Sequence, residues 1–228
     1  MEKSLTPQPP VLSLPYLFRL PIVKSERPPL LLMFHGYGSN MGDPFGLAAD
    51  VPPEFLVISL QAPFHLAPEQ YAWFQLDWTS GSPVSDPKEA EVARLFVRTC
   101  INEVLEAFDV DITRIFLLGF SQGAILSLAV ALTFPGLVKG VVLLSGKISP
   151  ETKLATILSP ALSQLSVFMG HGTTDPIIPI SLAYEMKEYL ETLDVALTFQ
   201  EYPMGHTVSG AEAQEVSRWL SSVLHKSI

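Results

Sequence analysis

Apolar residues in this chain gather into short unbroken runs instead of alternating with polar ones. The runs are "LLLMF" (30 to 34), "FLVISL" (55 to 60), "RIFLLG" (114 to 119), "VKGVVLLSG" (138 to 146), "LSVFMG" (165 to 170) and "ALTFQEY" (196 to 202). They are too short for helices, and continuous apolar character marks parallel strands buried on both faces. Between the later runs the spacing becomes helical. In "DPKEAEVARLFVRTCINEVLEAF" (86 to 108), Asp86 can cap, Pro87 suits the first turn and Glu89 completes a capping-box arrangement. Val92, Leu95, Phe96, Val104, Leu105 and Phe108 then recur at helical spacing. Further helices are expected at about 123 to 134, 179 to 193 and 209 to 225.

Strands alternating with helices predict an α/β class: a mostly parallel central sheet with helices on both faces, joined by right-handed crossovers. No linker, internal repeat or low-complexity segment divides the chain, so one domain is expected over residues 1–228. Hydrophobic residues make up 48% and charged residues 16%, which excludes the disordered class. The balance of 14 Lys and Arg against 23 Asp and Glu gives a net charge of -9, which argues against nucleic acid and anionic membrane surfaces as partners. The single cysteine, Cys100, cannot form an internal disulfide and reads as a small buried hydrophobe. Pro15 and Arg19 interrupt the apolar run near the N-terminus, and nowhere do 18 apolar residues follow one another. A cytoplasmic protein without integral membrane association is therefore expected.

In an open parallel sheet, ligands bind beyond the carboxyl ends of the strands. There the stretch "RIFLLGFSQGAILSLAVALTF" (114 to 134) interrupts two apolar blocks with Gly-Phe-Ser-Gln-Gly. G-x-S-x-G between a strand and a helix is a nucleophile elbow, in which the serine sits on a sharp turn and the glycines admit neighbouring backbone. Ser121 is the candidate nucleophile. A serine hydroxyl needs a base, and of the five histidines His206 in "YPMGHTVSG" follows the last strand at the correct end of the sheet. Asp175, in "GHGTTDPIIP" after another strand, is the candidate acid, whereas Asp194 precedes a strand and so lies at the opposite edge. The order serine, acid, histidine is the one α/β-hydrolases use. For the oxyanion, Gln122 supplies one backbone N–H, and "FHGYGSN" (34 to 40) supplies a second from Tyr37, or failing that Gly36.

These residues resemble the phospholipase/carboxylesterase family of α/β-hydrolases, which includes acyl-protein thioesterases. The likeness runs from "LLLMFHGYGSN" through "YAWF", "FLLGFSQGA" and "GHGTTDPIIP" to "YPMGHTVS". It implies the α/β-hydrolase fold without a large lid domain, no cofactor, and a triad and oxyanion hole at Ser121, Asp175, His206, Tyr37 and Gln122. It also implies hydrolysis of carboxylic esters, with some relatives acting on thioesters or lysophospholipids. Two positions depart from the family pattern: Ala124 stands where a second glycine is usual, and Gln75 follows the Trp-Phe pair where an aspartate is usual.

Trp73, Phe74, Leu76 and Trp78, with Ile177 and Ile178 beside Asp175, are candidates for an apolar substrate groove. No His/Cys/Asp cluster has metal-ligand spacing, so no metal is expected. The expected activity is that of a serine carboxylesterase acting on small to medium acyl chains through an acyl-enzyme. Acyl-protein thioesterase and lysophospholipase are alternatives on the same triad, and a non-catalytic binding protein on the hydrolase fold is a third. The partner is then a small-molecule ester or acyl chain. Related esterases often pair through apolar surface around the active-site mouth, so a homodimer is a further expectation from the resemblance.

Overall fold

Leu30, Leu32 and Phe34 pack into one hydrophobic core, while Leu31 and Met33 pack into a second on the other side of the sheet. The same division separates Ile115 and Leu117 from Phe116 and Leu118, and Val141 and Leu143 from Val142 and Leu144. Strands that serve two cores have no solvent face, which is why their sequences show no alternation.

The computed structural model describes residues 9–77 and 84–226. In chain order its elements are β1 (Tyr16–Arg19), β2 (Leu30–Phe34), α1 (Gly42–Phe45), β3 (Leu56–Leu60), β4 (Phe64–Ala67), β5 (Gln70–Ala72), β6 (Leu76–Asp77), β7 (Val84–Ser85), α2 (Pro87–Ala107), β8 (Ile115–Phe120), α3 (Gln122–Thr133), β9 (Gly140–Leu144), α4 (Pro150–Ala155), β10 (Ser166–Gly172), α5 (Ile180–Glu191), β11 (Ala196–Tyr202) and α6 (Gly210–His225). The main sheet has seven strands in the order β1-β3-β2-β8-β9-β10-β11, all parallel except β1, which runs antiparallel to β3. Small antiparallel pairs, β4 with β5 and β6 with β7, lie outside it.

Helices cover both faces. Buried residues of α2, α3 and α5 join the first core, and Val216, Trp219, Leu220 and Val223 of α6 close the second. The α2 helix begins as expected, with Asp86 accepting the Lys88 N–H, but Glu89 does not complete a capping box. Its carboxylate accepts the Gln75 N–H at 2.9 Å instead and so ties α2 to the loop after β5. The buried face of α2 also differs from the expected one. Ala93, Val97, Cys100, Ile101 and Val104 are buried, whereas Val92 and Leu95 face solvent.

Burial, with Glu103 nearby, pushes the Cys100 thiol up to about 11, so it stays protonated and inert. Among the described residues no helix is long and apolar enough to cross a membrane. The strand order reverses at β2, whose successor β3 lies on one side and β8 on the other. The crevice at the carboxyl ends of β2 and β8 is therefore the switch point where such sheets bind ligands.

Candidate active site

Ser121 connects β8 to α3 at that crevice, with φ 53° and ψ -114°, a conformation that costs an L-residue roughly 1–3 kcal/mol. The flanking glycines make the turn sterically feasible. A Cβ on Gly119 would lie 2.2 Å from the Gly123 carbonyl, and one on Gly123 would lie 2.1 Å from the Phe34 carbonyl oxygen. The elbow is held in place because the Ser121 N–H donates to Leu144 O at 2.9 Å, while Ser121 O accepts from the Ala124 and Ile125 amides. Ala124, where the family pattern has glycine, fits because its neighbour is small: a Cβ on Gly146 would lie 2.7 Å from the Ala124 methyl.

Asp175 follows β10 in a tight turn. Its Oδ1 accepts the Ile177 and Ile178 N–H groups, both at 2.9 Å, and its Oδ2 accepts His206 Nδ1–H at 2.7 Å. The loop carrying His206 reaches this turn because residue 172 is glycine. A Cβ there would lie 2.4 Å from both Met204 O and Gly205 O. Thr173 and Thr174 then donate backbone bonds to Tyr202 O and Met204 O, fastening the two loops together. The His206 ring packs against Phe120, centroids 4.9 Å apart. His171 also approaches Asp175, with Nε2 3.5 Å from Oδ2, but it is buried and donates to Ile178 O at 2.7 Å. Only His206 of the two lines the cavity that holds Ser121.

That cavity, of about 530 Å³, is lined by Ser121, Gln122, Tyr37 and His206 together with a largely apolar wall. As the first residue of α3, Gln122 has a backbone N–H without an acceptor inside the helix. Its side chain has a function that the sequence did not reveal: it accepts the Trp73 N–H at 2.9 Å and donates to Phe74 O at 2.8 Å. Gly38 N–H donates to Tyr71 O, so β5 also pins the loop that carries Tyr37.

Of the expected groove residues, Phe74, Leu76, Ile177 and Ile178 line the cavity. Trp73 does not. It is buried in the core, edge-on to Phe34, and its indole N–H donates to His35 O at 3.0 Å. The buried acceptor draws the indole inward, so Trp73 braces the loop after β2 and stays out of the cavity that holds Ser121. Trp78 lies outside the described residues. His35 is likewise structural: its Nε2 accepts the Ala62 N–H, its Nδ1 donates to Gly36 O at 2.7 Å, and burial lowers its pKa, keeping the ring neutral. The sequence reading missed several wall residues, among them Val84, Ile125, Ile148, Leu182 and Lys147. Lys147 alone left a signal, as a charge three residues beyond the strand β9 at its carboxyl end.

A seven-stranded, mostly parallel sheet with a strained serine between β8 and α3 defines an α/β-hydrolase fold. Residues 21–224 match the Phospholipase/Carboxylesterase family, and the chain belongs to that family. Acyl-protein thioesterase 1 of Debaryomyces hansenii is 32% identical over 132 residues, covering 57% of this chain and 57% of that protein. Carboxylesterase SOBER1 of Arabidopsis thaliana is 24% identical over 153 residues, 65% of this chain and 66% of that protein. The aligned stretch thus spans a little over half to about two thirds of these curated relatives. A solved carboxylesterase of Bacillus cereus, 23% identical, shares the fold with a TM-score of 0.80, covering 92% of this chain and 95% of that one.

Proposed function

We propose that the protein is a serine carboxylesterase acting on small to medium acyl chains. The observation that carries this reading is that Ser121, on its strained turn, and His206, bonded to Asp175 at 2.7 Å, line one cavity. With Nδ1–H committed to the carboxylate, His206 Nε2 holds the lone pair that can accept the Ser121 proton. Ser121 Oγ attacks the ester carbonyl, and the backbone amides of Gln122 and Tyr37 receive the oxyanion. His206 returns the proton to the leaving alcohol, and water then cleaves the acyl-enzyme by the same route. Asp175 orients the imidazole and balances its charge. Phe74, Leu76 and Ile177 supply the apolar wall for the acyl chain.

Relatives named acyl-protein thioesterase favour a second reading, thioester cleavage by the same residues. The assembled serine, histidine and aspartate weigh against a binding protein that has lost the chemistry. Hydrolysis of p-nitrophenyl esters from acetate to palmitate, by wild type and Ser121→Ala side by side, tests the assignment. Serine-dependent turnover is expected, with the length profile reporting the cavity; equal turnover in the variant would remove Ser121 from its role. A parallel acyl-thioester series separates the two readings by their kcat/KM.

A further inference from the structure

We propose that this site takes esters bearing a second, anionic group, and that Lys147 binds that group. The inference rests on the esterase reading and adds the charge of the substrate to it.

Lys147 is half-buried and lines the cavity that holds Ser121. It comes three residues after Leu144, whose carbonyl accepts the Ser121 N–H. Three residues of chain span at most about 11 Å, which keeps Lys147 within a small molecule's length of the nucleophile. Gly146, just before Lys147, is pressed against Ala124 in the first turn of α3, so this segment is packed on the elbow itself.

Among the described residues no carboxylate forms an ion pair with Lys147. The other lysine of the wall, Lys153, has its ammonium 5.6 Å over the Tyr189 ring. Lys147 is thus a cation in the wall of the cavity, with no carboxylate paired to it among the described residues. A hydrogen bond from such an ammonium to an anion is shorter and stronger than one between neutral groups. An anion on the substrate is the partner the site lacks. Glu151 and Glu185 also line the cavity, from α4 and α5, and they repel an anion from the rest of the wall. The favourable seat is therefore the one beside Lys147, which fixes how the substrate lies.

A charge-assisted contact of this kind corresponds to a preference of about tenfold to a hundredfold in kcat/KM. The test compares two anionic esters with neutral counterparts of matched length. Monoethyl glutarate against ethyl hexanoate carries the anion on the acyl side, and 3-(butanoyloxy)propanoate against butyl butanoate carries it on the alcohol side. Wild type should favour at least one anionic ester. Lys147→Met should lower that anionic-to-neutral ratio by tenfold or more, and Lys147→Arg should keep it. Because each ratio is internal to one preparation, a general loss of activity cancels. Turnover of the neutral esters with the same ratio in wild type and Lys147→Met overturns the inference and leaves the esterase reading standing. No turnover of these esters or of any p-nitrophenyl ester overturns both.

Discussion

Gln122 grips Trp73 through its side chain, accepting that residue's backbone N–H at 2.9 Å while its own amide donates to Phe74 O. The residue proposed to give its backbone N–H to the oxyanion therefore also anchors the loop that forms the acyl wall. Gln122→Ala keeps the backbone donor and removes the grip. Two buried backbone groups would lose their partners, a cost of roughly 2–5 kcal/mol. Denaturant melts should show that loss, and KM for long acyl esters should rise more than kcat falls. An unchanged midpoint would show that the grip carries no stability.

Asp175→Asn separates orientation from bulk. The new side chain still offers an oxygen to the Ile177 and Ile178 amides, so the turn should stay folded. Its amide would face His206 Nδ1 with a donor and force the wrong tautomer. Turnover should fall about 1,000- to 10,000-fold while the thermal midpoint moves little. A loss under tenfold would remove Asp175 from the mechanism.

Ser121→Gly and Ser121→Ala should both abolish ester hydrolysis, but they should differ in stability. Glycine occupies φ 53° without a Cβ penalty, whereas alanine keeps the strain. The glycine variant should be more stable than the alanine variant by about 1 kcal/mol, after the greater chain entropy glycine loses on folding. Equal midpoints in calorimetry would mean that the turn stores no strain.

Glu212, in the first turn of α6, is fully buried with neither carboxyl oxygen bonded among the described residues. Burial, reinforced by Glu215, pushes its pKa up to about 8. The folded state thus holds a proton that the unfolded chain, titrating near 4.5, has released. The stabilising contribution is complete below the unfolded pKa and is lost as pH rises towards 8, by at most about 1.4 kcal/mol per pH unit. Glu212→Gln cannot titrate, so its unfolding free energy should fall less steeply between pH 5 and 8 than that of wild type. Parallel curves would contradict this. Other groups, such as neutral His35, contribute equally to both proteins and drop out of the difference.

The six parallel strands were legible in the sequence because each carries an apolar run, dense in the five that are buried almost throughout and sparser in the half-exposed β11. β1 was not, since Tyr16–Arg19 is four half-buried residues that follow Pro15 and end on a charge. The helix α2 was legible in extent but not in phase: Val92 and Leu95 outweigh Ala93 and Cys100 in hydropathy, yet the smaller pair is the buried one. At the site, Ser121, Asp175 and His206 could be picked out because each follows a strand at its carboxyl end. Trp73 could not, because an aromatic residue in a loop reads alike whether it lines a groove or fills the core. The side-chain bonds of Gln122 depend on loops meeting across the sheet, which no local pattern records, and Lys147 left only its charge just beyond β9 as a sign.

Among the described residues β11 is an edge strand that pairs only with β10, and His206 follows it by four residues. Ser121, the proposed nucleophile, by contrast follows β8, which is braced on both sides by β2 and β9. The two halves of the proposed reaction therefore rest on parts of the sheet with unequal resistance to fraying. Warming should disarm the molecule before it melts it, so that turnover fades at a temperature where the circular dichroism of the sheet is still intact.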